Sequence, residues 1–179
     1  MQSDSSNSLL TSQDYIYFPN YIQISSQDRD TTAYPSVNKY CIRFSSELKN
    51  IVSIQLASAV IPTITTGEPL LILKINELDS NIQSNSNSYK NSLTQLQLTD
   101  GNANGFINVD LKLSDRIIQC YKTPIASLSK LTISILDING NLYNFGTDSS
   151  PPLKSLQNHF IFKIVTREKN MNRLGVQNV

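Results

Sequence analysis

The chain has 179 residues, with 15 Lys and Arg against 14 Asp and Glu, a net charge of +1 and only 16% charged residues. That length suits one domain with a self-sufficient core. The near-neutral balance gives no electrostatic case for a nucleic-acid partner. Cys41 and Cys120 lie far apart without C-x-x-C or metal-ligand spacing. They read as reduced thiols on strands; the alternative is a disulfide, which would imply an oxidising compartment. The first residues, MQSDSSNSLLTSQD, lack the basic and apolar regions of a secretory signal. No apolar run approaches the roughly 20 residues of a membrane-spanning helix. The expectation is a soluble intracellular protein, or a component of something assembled inside a cell.

Residues 1–24 are expected as an extended N-terminal arm. Met1–Asp14 is polar and expected to be mobile, or ordered only against a partner. Tyr15, Tyr17 and Phe18 then precede Pro19, followed by Tyr21, Ile22 and Ile24. Two readings stand for this aromatic stretch: an extra edge strand packed on its own domain, or an arm that docks on a neighbouring subunit by strand addition.

The Asp28-Arg29-Asp30 cluster and Tyr34-Pro35-Ser36 form a turn-prone segment. It reads either as a local ion-paired turn, with Asp capping backbone N–H groups, or as a subunit contact. A calcium loop would need more oxygen ligands and a set glycine.

Tyr40–Phe44 alternates as a short strand, with Tyr40, Ile42 and Phe44 on one face. A loop with Glu47, Lys49 and Asn50 is expected next, then a strand over Ile51–Ile61 with Val52, Ile54, Leu56 and Val60 sharing a face, stopped by Pro62. After a turn at Thr63–Pro69, Leu70–Leu78 reads as a strand with Leu71, Leu73 and Ile75 aligned. The Ser/Asn tract Asp79–Ser92 reads as a long surface loop, disordered or variable. Leu93–Asp100 and Phe106–Leu113 read as a hairpin around Gly101–Gly105. Ser114–Lys122 fits a strand or a short helix, broken at Thr123-Pro124. Leu131–Ile138 is a strand with Leu131, Ile133 and Ile135 aligned. Asn139-Gly140 is a two-residue hairpin signal, with the return strand beginning at Leu142–Phe145. His159–Arg167 is the last strand, with Phe160, Phe162 and Ile164 inward, and residues 169–179 form a polar tail.

About eight short strands with frequent turn signals argue for an all-β, antiparallel β-sandwich over residues 25–168. A chain without Trp lacks the buried Trp of immunoglobulin domains.

Three segments carry a resemblance. Ser26–Asp30 reads S-x-D-R-D, Tyr34–Tyr40 reads Y-P-S-x-N-x-Y, and Lys49–Pro62 reads KNIVSIQLASAVIP. This order resembles the opening of small capsid proteins, minor capsid and penton, of nucleocytoplasmic large DNA viruses. Weaker likeness falls at Ser129–Gly146 and Asn158–Thr166. The resemblance implies a single jelly roll of about eight strands and a non-enzymatic structural role in an icosahedral virion, as a penton or a minor cement protein. It implies assembly in the host cytoplasm. Its implied partners are the major capsid protein and neighbouring copies of the chain, as a homo-oligomer such as a pentamer; from charge and the lack of an amphipathic helix, no nucleic-acid partner and no membrane insertion are expected. The residues expected at subunit contacts are Tyr15, Tyr17, Phe18, Asp28, Arg29, Asp30 and Tyr34.

His159 is the sole histidine and has no G-x-S-x-G turn to serve. The aspartates announce no glycosidase pair. No catalytic residue, cofactor or metal is expected. The reading from a different class is a carbohydrate- or receptor-binding β-sandwich, with Tyr15, Tyr17, Phe18 or Tyr89 as aromatic platforms.

Overall fold

The computed structural model describes residues 14–62, 68–79, 82–98, 102–103, 105–109 and 117–171. Eight strands lie within them: β1 (Tyr15–Ser25), β2 (Lys39–Pro62), β3 (Leu70–Ile75), β4 (Thr94–Gln97), β5 (Asn102–Ala103), β6 (Phe106–Val109), β7 (Ile118–Leu136) and β8 (His159–Lys169). Every pairing is antiparallel. The order is β1-β8-β2-β7-β3-β4, with β6 on β2 and β5 on β6.

Two long strands let this sheet curl into a sandwich. Lys39–Arg43 of β2 pairs with Lys130–Ser134 of β7. Further along, Ile51–Val60 of β2 takes β8 on one side, and β7 and then β6 on the other. One layer is therefore β1, β8, the second part of β2, the first part of β7, and β6. The other is the first part of β2, the second part of β7, β3 and β4. Their inner faces meet in one core. Tyr40, Leu73, Ile133, Ile135, Phe160, Phe162 and Ile164 are all 0% exposed there. The residues expected inward at 71–75, 131–135 and 160–164 are buried, and Ile72 and Ser134 between them are buried as well.

Four expectations are corrected. First, the loop at Glu47–Asn50 is absent. β2 runs unbroken for 24 residues and turns through irregularities between Arg43 and Leu48 and between Ile51 and Ser53. Asn50 takes φ +53° there, a left-handed conformation Asn tolerates. Each bulge adds a residue to one strand and exchanges its faces beyond that point. So Ile51, Ile54, Leu56, Ala59 and Ile61 are buried, while Val52 and Val60 are half-exposed.

Second, β7 runs through Thr123-Pro124 rather than breaking. Opposite Ile51 and Ser53 of β2, the partners on β7 jump from Ile125 to Cys120. Pro124 thus lies where β7 has no partner residue on β2, and its missing N–H interrupts no ladder bond there. Third, the sequence predicts a hairpin of residues 93–100 with 106–113, but among the described residues β4 pairs with β3 and β6 with β2 and β5. Leu111 and Leu113 lie outside the described residues.

Fourth, the chain turns at Asn139-Gly140 as expected, but the return is a single bridge, Leu136 with Leu142. Asp137 shapes this turn by accepting from the N–H groups of Asn139 and Asn141, both at 2.9 Å. In the Ser/Asn tract, Ser84 and Ser86 accept from the backbone N–H two residues on, and Ser92 is buried.

Candidate assembly surface

The residues expected at subunit contacts fall into two groups. The first surrounds Arg29. A short 3-10 turn, Ser26–Asp28, follows β1 and delivers Arg29 to the end of the sandwich. A guanidinium has five N–H donors, and Arg29 makes five bonds within the chain. Nε donates to Tyr34 O at 2.9 Å and Nη1 to Ser26 O at 2.7 Å. Nη1 also donates to Gln157 Oε1 at 2.9 Å, and Nη2 to Pro35 O at 3.1 Å and Asp148 Oδ2 at 2.5 Å. Its side chain is 0% exposed. Arg29 therefore has all its donors engaged within the chain.

The network extends from there. Gln157 Nε2 donates to Asp148 Oδ2 at 3.0 Å. Ser26 Oγ donates to Gln157 Oε1 at 2.8 Å and accepts from Asn158 N at 2.9 Å. Asn158 Nδ2 donates to Val37 O at 3.0 Å, and its Oδ1 accepts from Tyr40 Oη at 2.6 Å. Asn38 Nδ2 donates to Tyr143 O at 2.9 Å. Burial pushes the Asp148 carboxyl up, but hydrogen bonds from Leu153 N, Arg29, Gln157 and Ser149 N outweigh it and hold it down at about 2. Burial pushes the Tyr40 phenol far above its usual range, against a smaller opposing pull from Arg29.

Ser26, Arg29, Asn38 and Tyr40 are all positions of the S-x-D-R-D and Y-P-S-x-N-x-Y segments. Those segments form a latch that ties the start of β2 to the loops before β8. Gln157, Asn158 and Asp148 complete it. Sequence reasoning did not single out these partners, because Asp148 and Gln157 look like ordinary loop residues until the chain closes on Arg29. Asp28 and Asp30 are exposed; Asp30 accepts from Thr32 N and Ala33 N at 3.0 and 3.2 Å. Tyr34 packs half-buried against the core.

The second group lies on β1. Tyr15–Ser25 pairs along its whole length with β8, as an edge strand of its own domain. Its outer end stays open: Ile16, Tyr17, Phe18 and Tyr21 are 41%, 49%, 43% and 65% exposed. Tyr15 is covered by Arg167, whose Cζ sits 4.4 Å from the ring centroid. Ile16 and Phe18 share one face of this strand, and Tyr17 and Tyr21 share the other. Residues 1–13 of the expected arm lie outside the described residues.

Cys41 and Cys120 form no disulfide. His159 is half-buried at the start of β8. Among the described residues, no group of three His, Cys, Asp or Glu side chains is placed to hold a metal.

No family model matches the chain. Over 123 residues it is 24% identical to the penton capsid protein P1 of Paramecium bursaria Chlorella virus 1, an alignment covering 68% of this chain and 72% of that protein. With its all-β antiparallel sandwich, the chain resembles the small jelly-roll capsid proteins, minor capsid and penton, of large DNA viruses.

Proposed function

We propose that this protein is a non-enzymatic structural component of a large icosahedral DNA virus capsid, acting through subunit contacts. The observation that carries the reading is its likeness, over two thirds of its length, to a penton capsid protein. The fold supports it physically. A curled sheet with a closed core is a rigid block whose loops and edges meet neighbours without refolding. The exposed apolar side chains on the two faces of β1 supply contact area, with Asp28 and Asp30 beside them in sequence as polar rim residues.

The role we favour is the vertex. A ring of five single sandwiches fills a fivefold hole by cyclic symmetry, with each copy contacting the next and the surrounding major capsid protein. The protein then resides in the virion. The alternative within the same class is a cement protein spread beneath the facets.

Quantitative mass spectrometry of purified particles separates the two. About five copies per fivefold vertex, the count that cyclic symmetry requires, supports the penton role. A much higher ratio assigns the chain to cement, and absence from particles overturns the capsid reading.

A further inference from the structure

The sandwich has an open seam. Among the described residues, β1 pairs only with β8, and Lys39–Arg43 of β2 pairs only with β7. Each is the outer strand of its layer, and their backbone directions follow from the bonds at their ends. Asp14 O accepts from Asn170 N at 2.8 Å, and Ser26 N donates to Asn158 O at 3.0 Å. The register between them is unbroken. In an antiparallel ladder, alternate residues face the partner. The even-numbered residues of β1 thus bond to β8, while Tyr15, Tyr17, Tyr21 and Gln23 turn their N–H and C=O groups outward. Pro19 falls in the outward row, where its missing N–H costs no ladder bond. On β2, Ile135 N donates to Asn38 O at 2.8 Å. By the same alternation, Cys41 and Arg43 turn their backbone groups outward.

A groove of about 280 Å³ lies between these edges, bounded by Tyr21–Ile24, Ile42–Ser46 and Leu48. Ile22, Ile24, Ile42, Phe44 and Leu48 give it an apolar floor. Arg43 is the single charged side chain lining it, and no carboxylate does. Lys163 adds a second cation from β8, directly across from Tyr21.

We infer that the groove between β1 and β2 accepts a short extended segment of a second polypeptide, apolar at alternate positions and acidic between them. Its backbone pairs with the outward groups of Tyr21 and Gln23. Its apolar side chains enter the groove, and its carboxylates meet Arg43 and Lys163. This is strand addition to an exposed edge, in which the backbone supplies affinity and alternate side chains supply specificity. Tyr21–Ile24 spans about 13 Å at roughly 3.3 Å per residue, so the segment is short. Pro19 limits pairing beyond it, which protects the edge from indiscriminate sheet extension. The inference deepens the capsid reading by giving one contact surface its partner chemistry. Particle copy number tests that reading and peptide binding tests this one, so each fails separately.

The test is fluorescence anisotropy of the full chain with a labelled, acetylated and amidated six-residue peptide alternating valine and glutamate. Saturable binding is expected, with no binding of the valine–lysine counterpart at the same concentrations. Arg43→Glu changes an exposed residue and is expected to weaken binding at least tenfold. Gln23→Pro removes one outward donor without touching the β8 ladder, as Pro19 already does, and is expected to weaken it similarly. Amide exchange at Tyr21 and Gln23 should slow on binding while Ile22 and Ile24, already bonded to β8, stay unchanged. No saturable binding, equal binding of both peptides, or full affinity in both variants would overturn the proposal.

Discussion

Arg29 Nη2 donates to Asp148 Oδ2 at 2.5 Å, with the two side chains 0% and 2% exposed, although 119 positions of sequence separate them. The pair is worth keeping only because its remaining hydrogen-bonding capacity is filled. Desolvating two ions costs several kcal/mol each, and Coulomb attraction offsets that only with good geometry and satisfied donors. Here Gln157, Leu153 N and Ser149 N complete Asp148, and three backbone carbonyls complete Arg29.

Removing one partner leaves the other buried and unpaired. Arg29→Ala is therefore expected to lower unfolding stability by about 3–5 kcal/mol, read from urea denaturation. Asp28→Ala, one position away but exposed, should stay within about 0.5 kcal/mol. Arg29→Lys should recover only part of the loss, since an ammonium has three donors and no planar fork. A stability loss shared equally by Asp28→Ala and Arg29→Ala would contradict the latch.

Acid should loosen the same latch. The Asp148 carboxyl ionises at about 2 in the folded chain against 3.8 for a free one. The unfolded chain takes up this proton first as pH falls, so protonation pulls the equilibrium toward unfolding. The Asp148 contribution is complete above about pH 4 and is lost between about pH 4 and 2. Asp148→Asn should flatten that part of the curve of stability against pH, measured by denaturant titration at each pH. An unchanged slope in the variant would show that other carboxylates govern the acid transition.

Gly140 closes the Asp137–Asn141 turn at φ +88°, and a Cβ there would meet Ser88 Oγ at 3.1 Å. Gly105 has a similar φ of +83° but open space around it. Both Gly→Ala changes incur the strain of a left-handed residue, about 1–2 kcal/mol. Gly140→Ala should cost more, because Ser88 must also shift. Thermal unfolding of the two variants makes the comparison, and a smaller loss for Gly140→Ala would mean that the serine loop does not press on this turn.

Tyr40 is fully buried, with its hydroxyl on Asn158 Oδ1 at 2.6 Å. Tyr40→Phe should cost about 1–3 kcal/mol by leaving that oxygen short of a donor. In alkaline titration followed by ultraviolet absorbance, the Tyr40 phenolate should appear only as the chain unfolds, because burial disfavours the charged form. Ionisation of all eight tyrosines while the chain stays folded would contradict this burial.

The alternation of Leu71, Leu73 and Ile75, of Leu131, Ile133 and Ile135, and of Phe160, Phe162 and Ile164 is a property of consecutive residues. Residues i and i+2 share a face of a strand whatever it pairs with. The turn at Asn139-Gly140 is likewise local, since it needs only a positive φ and an aspartate two residues before it. Sequence alone therefore determined the β class, most strands and the inward faces of three of them. Which strand lies beside which is a contact between distant positions. β4 turns to β3 rather than to β6, and β2 joins two layers through bulges that exchange its faces, because those arrangements cover the core. Arg29 illustrates the same limit. An arginine between two aspartates reads as a surface cluster, and only closure of the loops around Asp148 and Gln157 makes it interior. Local spacing sets which way a side chain points; the tertiary structure decides what meets it there.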